Sequence, residues 1–184
     1  MLQRMIGAAC LNVHTYEDVE NDQTATKQAL LVVVLVSLAS GIGAIGIGAI
    51  AIGDDYNILN FLLGIAVGII GWAIWAYITF FVGTKFLNTP ETHADWGQLA
   101  RGTAFAQTPG LLRVFGFIPY IGGVIILISM IWLIIAMVIA VRQCLDYQST
   151  WRAFAVVLIG FIPHMILISI VNYILFSTVG KLGS

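Results

Sequence analysis

Hydrophobic residues in this chain come in long unbroken runs rather than in alternation with polar ones. Residues 28–53, 56–84, 114–141 and 153–180 hold no charged side chain. A helix that crosses a bilayer needs about 20 apolar residues, so each run is long enough with some tilt. Leu, Ile, Val and Phe fill the runs, with Gly and Ala between them. The pattern predicts four spanning helices. Outside them the chain offers only connections and no soluble domain.

Residues 86–113 fit the pattern less well, because their uncharged window, Gly102 to Leu112, is short. Thr89 before Pro90 suits a helix start, and Thr92 with Asp95 offers a second cap. The helix is then expected to run to Thr108, where "TPG" breaks or kinks it. This segment lies in the interface, re-enters, or crosses as a fifth, polar span with Arg101 snorkelling. Counting positive charges leaves the choice open. Five spans with the N-terminus inside place Arg4, Lys27, Lys85, Arg101, Arg142 and Arg152 in the cytoplasm, with Arg113 and Lys181 outside. Four spans give the same ratio with the two pairs exchanged. Both arrangements put the N-terminus in the cytoplasm and the acidic "GDDYN" turn, Gly53 to Asn57, outside.

The first 27 residues contain Glu17, Asp18, Glu20 and Asp22 and lack the apolar centre of a signal peptide. They read as a short interfacial helix, with Leu2, Met5, Ile6 and Ala9 on one side, followed by a polar link. "TYED", Thr15 to Asp18, has the form of a capping box.

Composition sharpens this picture. Hydrophobic residues make up 60% and charged residues 9%, against roughly 25% charged in a soluble domain. Net charge is −1 and no basic run exists, so nothing points to nucleic acid. The two cysteines, Cys10 and Cys144, make no disulfide framework.

One motif invites a misreading. "GIGAIG", Gly41 to Gly46, spells the G-x-G-x-x-G of a dinucleotide-binding turn, but it lies inside an uncharged membrane run and not at the end of a strand. Phosphate would have to enter hydrocarbon to reach it. Helices in lipid associate instead by close backbone approach at small residues. Ser40, Ala44, Gly46 and Gly48 supply such faces on the first span, and Gly64, Gly68 and Gly71 on the second. They serve packing within the bundle or docking of another subunit.

The arrangement resembles the prokaryotic branch of the Yip family of Ypt-interacting proteins. The resemblance rests on "NVHTYEDVE" before two apolar spans, then "FAQTPGLLRVFGFIP" (Phe105 to Pro119) and "WLIIAMVIAVRQCLDYQSTWRA" (Trp132 to Ala153) before a last span. It covers nearly the whole chain. It implies five spans and so breaks the tie: about 28–53, 57–83, 95–117, 118–141 and 151–179, in a bundle over residues 28–181. Eukaryotic members are linked to Rab-type GTPases and to vesicle traffic, with a D-L-Y-G-P motif before the first span. This chain has no match to it, so GTPase binding is not carried over.

Three groups of residues are candidates for function. His164 is the one ionisable side chain in mid-span, a site for a tetrapyrrole or a proton relay by default. Pro163 before it frees the carbonyl of Ile159, which a neutral imidazole would satisfy with room from Gly160, and that structural reading is preferred. In the loop "VRQCLDYQSTWRA", Arg142 and Asp146 are spaced to pair on a continuing helix, Ser149 or Thr150 caps the last span, and Trp151 anchors at the interface. Arg152, in that helix's first turn, opposes its dipole and calls for a partner. Loop and arginines serve lipid contact or a partner. Arg101 and Gln107, with Gln98, line a polar cavity or, in Arg101's case, only snorkel.

No acid lies in a span and no hydrolase or zinc signature is present. The expectation is an all-α, five-span, non-enzymatic protein of a bacterial or archaeal plasma membrane, with a short N-terminal amphipathic helix and a third span that is short and polar or re-entrant. It is expected to work as a packing or accessory subunit, touching lipids and other membrane subunits or itself. The alternatives are a lipid or small-molecule carrier, and a pigment- or haem-binding subunit through His164. No metal or cofactor is otherwise expected.

Overall fold

The computed structural model describes the backbone of residues 1–51, 58–92 and 94–182, and side-chain surroundings for these except residues 45–51, 58–60, 164, 167–168 and 171–182. Every element is helical among the described residues: α1 (Leu2–Ala9), α2 (Val13–Asn21), α3 (Thr26–Ala51), α4 (Ile58–Lys85), α5 (Trp96–Ala106), a 3₁₀ segment (Thr108–Phe117), α6 (Gly122–Cys144) and α7 (Thr150–Leu182). A short 3₁₀ turn, Gln23–Ala25, joins α2 to α3. Three stretches, Gln23–Ala44, Phe61–Lys85 and Gly122–Cys144, are long and apolar enough to cross a membrane. Their outer faces, with Leu30, Leu62, Ile70, Leu127, Ile131 and Ile135, stay exposed, which suits lipid rather than water.

The N-terminal helices pack into the bundle instead of trailing from it. α1 ends in a Schellman motif: Asn12 N–H donates to Gly7 O at 2.9 Å and Leu11 N–H to Ala8 O at 3.0 Å, with Leu11 left-handed at φ 61°. Carbonyls at a helix end have acceptor capacity to spare, and two aromatic side chains donate to those of Ala8 and Ala9. Tyr16 Oη donates to Ala8 O and Trp132 Nε1 to Ala9 O, both at 2.8 Å. α2 begins one turn before "TYED", because Asn12 is the cap and accepts from His14 N–H at 3.0 Å. Arg4 ties the two helices together through Asp18 at 2.8 Å and Asp22 at 2.7 Å. Tyr16 and Val19 are fully buried.

α5 is the centre of the bundle and touches α1, α2, α3, α4 and α6. Its start is Asp95 and not Thr89: Asp95 and Gln98 form a reciprocal capping box at 2.8 Å each way, while Thr89 and Thr92 bond each other in the preceding turn. Every residue from Leu99 to Ala106 is buried. At "TPG" the helix tightens rather than ending. Pro109 lacks an N–H to continue the α ladder, Thr108 Oγ1 donates to Phe105 O at 2.6 Å, and Ser129 Oγ on α6 donates to Pro109 O at 2.9 Å. The 3₁₀ run lies between α3 and α6. Its 10 residues exceed the three or four usual for this geometry. At about 1.5 Å and 2.0 Å rise per residue, α5 and this run together extend roughly 36 Å.

Candidate functional site

Two arginines on this third unit have opposite surroundings. Arg101, on α5, is 7% exposed. Its Nε donates to Val19 O at 3.0 Å and its Nη2 to Glu20 O. These are carbonyls of the last turn of α2, where orphan acceptors and the negative end of the dipole favour a cation. Arg101 therefore does not snorkel; it clasps the N-terminal helices to the bundle. Around it lie the buried Cys144 thiol, with Sγ 3.7 Å from Gln98 O, and the Glu20 side chain. Glu20 Oε2 is buried without a partner, and burial pushes its carboxyl above the ordinary range. Gly102 is required here, since a Cβ would overlap Cys144 Sγ.

Arg113, on the 3₁₀ run, makes no hydrogen bond or ion pair with any described residue, and its Nε is fully buried. The backbone that carries it presses against α3 at Gly43, where a Cβ would overlap the Arg113 carbonyl. Arg113 lines a half-enclosed cavity of about 390 Å³ between α3 and α4. Ser37, Ser40 and Gly41 form one wall, Gly64, Val67 and Gly68 the other, with Gln107 and Trp72 completing it. Gln107 Nε2 is buried without an acceptor. The Arg113 Nε and the Gln107 amide N–H are thus buried donors without an acceptor, and each unmet buried donor is costly.

Trp72 belongs also to a second cavity, about 270 Å³, whose lining includes Thr26, Lys27, Leu30, Trp96 and Ala100. Its surface is almost wholly apolar. The indole donates to Thr103 Oγ1 at 3.4 Å, which holds it between the two spaces. Both cavities are flanked by α3 and α4 and backed by the third unit.

A family model for the Yip1 domain matches residues 13–171. The chain belongs to the Yip1 domain family. No curated protein and no solved structure matches it. It is a membrane protein by family and by its apolar helices, and the Yip1 match takes in α2, the third unit and both cavities.

The remaining candidates of this Yip1 domain are dispersed. Gly68 faces Ser37 Oγ, and a Cβ on Gly64 would meet nothing within 4 Å; Gly71 is buried and Ala44 exposed. The surroundings of Gly46, Gly48 and His164 lie outside the described residues. α6 stops at Cys144, so Arg142 and Asp146 do not share a helix face. Arg142 instead donates to Tyr147 O at 3.2 Å and Gln148 O at 3.3 Å, and exposed Asp146 takes the left-handed position at φ 53°. Arg152 donates to Asn88 O at 3.0 Å, in the loop after α4, and lies over the ring of nearby Tyr147 at 5.9 Å. Tyr147 Oη donates to Gly83 O at 2.8 Å, and burial pushes its hydroxyl up to about 12. Trp151 is exposed. Of the polar-path residues Arg101, Gln107 and His164, only Gln107 reaches the polar cavity among the described residues. Sequence reasoning missed Arg113. Its signal was an arginine inside the 95–117 span, with no acid between Asp95 and Asp146 to pair with it locally.

Proposed function

We propose that this Yip1-domain protein is a non-enzymatic carrier or organiser that holds an amphiphilic membrane molecule between α3 and α4. One observation carries this reading: a partly polar cavity lined by unanswered donors lies between two apolar helices, closed behind by the third unit, with an apolar cavity beside it. Membership of a membrane-trafficking family supports a role without chemistry. The roughly 36 Å reach of α5 and the 3₁₀ run supports five crossings, since a hydrocarbon core is about 30 Å thick. With five crossings, the positive-inside rule favours a cytoplasmic N-terminus; a prokaryotic plasma membrane is part of the same reading.

The test is purification in mild detergent, with mass, lipid content and absorption read on one elution peak. A near-stoichiometric amphiphile in a colourless peak is expected, and a lipid-free peak overturns the reading. The packing or accessory-subunit role is the second reading, favoured by the exposed apolar face of α1 at Leu2 and Ile6. Co-eluting protein partners at fixed ratio would establish it. Colour in the peak that is lost in His164→Ala would establish the tetrapyrrole reading instead.

A further inference from the structure

We infer that the amphiphile is an anionic lipid, its headgroup held by Arg113 and Gln107 and its acyl chain lying along Trp72 toward the Leu30–Trp96 cavity. This rests on the reading above and specifies its ligand.

The argument starts from charge. A guanidinium left without a counter-ion in low dielectric is strongly unfavourable, and a bound anion relieves it. No described carboxylate does so here. The planar fork of arginine matches phosphate or carboxylate oxygens, and Gln107, whose buried Nε2 has no acceptor, lines the same cavity. Hydroxyls of Ser37 and Ser40 line the opposite wall, as suits a polar headgroup.

Size excludes the competing occupant. A second helix is at least 10 Å across, and a cavity of about 390 Å³ accepts a headgroup but not a helix.

Depth agrees as well. Arg113 lies four residues before the end of the 3₁₀ run at Phe117, roughly 8 Å at its rise per residue. That puts Arg113 near the end of the third unit opposite the Asp95 cap, where a headgroup would meet the hydrocarbon if this unit crosses the bilayer. From Ser40 to Leu30 along α3 is about 15 Å, and this interval, from the polar cavity to the apolar one, is the path of the chain. Trp72, common to both spaces, offers the ring face against which the chain lies.

The full-length protein in mild detergent, stripped of lipid, would be tested by native mass spectrometry against phosphatidylglycerol, phosphatidylcholine and inorganic phosphate. Phosphatidylglycerol is expected to be retained roughly tenfold better than phosphatidylcholine, in line with one charged hydrogen-bonded contact. Arg113→Gln should abolish that preference, and Arg113→Lys should keep part of it. Gly64→Leu, which grows a side chain into the open cavity, should remove both lipids while leaving the unfolding midpoint near wild type. Equal retention of the two lipids in wild type, both lost in Gly64→Leu, overturns the anionic assignment and leaves the amphiphile reading standing. Retention unaffected by Gly64→Leu overturns both. Inorganic phosphate that competes away phosphatidylglycerol at equal concentration overturns the lipid as source and makes the site one for a free anion.

Discussion

Arg101 and Arg113 sit twelve positions apart on one broken helix, the first buried and the second partly so, and they do opposite things. Arg101 spends its donors on the backbone of α2. Arg113 faces a cavity with none of its donors used by described residues. The first arrangement is complete in the protein alone. The second is complete only with something added. A buried cation is thus a poor guide to function by itself; its unmet donors are what separate a structural clasp from a binding group.

The largest expected effect comes from breaking the clasp. Arg101→Ala leaves two α2 carbonyls without a donor in the interior and should cost about 3 kcal/mol. Thermal unfolding in detergent would register it, along with proteolysis of α1 and α2 before the bundle. Arg113→Ala, measured on the lipid-free protein, should be neutral or stabilising, and equal losses for the two variants would erase the distinction.

The backbone that presents each wall gives a second contrast. Gly43→Ala forces α3 away from the Arg113 carbonyl and should cost about 1–3 kcal/mol. Gly64→Ala meets open space and should gain about 0.5–1 kcal/mol from helix propensity. Chemical or thermal denaturation of the two variants side by side decides it.

Smaller effects test the N-terminal end. Glu20 is held above its ordinary pKa, first by burial. The protonated form therefore favours the folded state, and stability falls as pH rises above 4.5 through the folded value. Asp22 lies the other way, lowered to about 2 chiefly by the Thr24 hydroxyl and then Arg4. Its contribution is present above pH 3.8 and fades as pH falls toward 2. Glu20→Gln should flatten the alkaline-going slope and Asp22→Asn the acid-going one in melting curves taken from about pH 3 to 8. The smallest change is Asp146→Gly, worth a few tenths of a kcal/mol by easing a left-handed residue; an unfolding midpoint that fell would mean the Asp side chain matters more than its backbone.

What could be read from sequence follows the reach of each interaction. The uncharged runs gave α3, α4, α6 and α7 because lipid selects composition over about twenty residues at a time. Asp95, expected only as the partner of a Thr92 cap, is itself the start of α5, because its own partner Gln98 is three residues away. "TPG" marked a break, but not that 3₁₀ geometry would continue past it, since Ser129 on another helix supports that turn. Arg101 was misjudged as snorkelling because its acceptors lie 82 and 81 residues back. Gln107 was singled out as a cavity residue, whereas Arg113 was counted only as a topology charge. Its isolation depends on how α3 and α4 separate, which no local pattern records.

The same long separations govern the order of assembly. Carbonyls of α1 and α2 wait for Trp132 and Arg101, 123 and 82 residues downstream. At about 5–20 residues synthesised per second, the interval to Arg101 is roughly 4–16 s. During it, the amphipathic N-terminal helices have no bundle to close on and are open to chaperones, proteases or the membrane surface. The segment made early is among the last to settle.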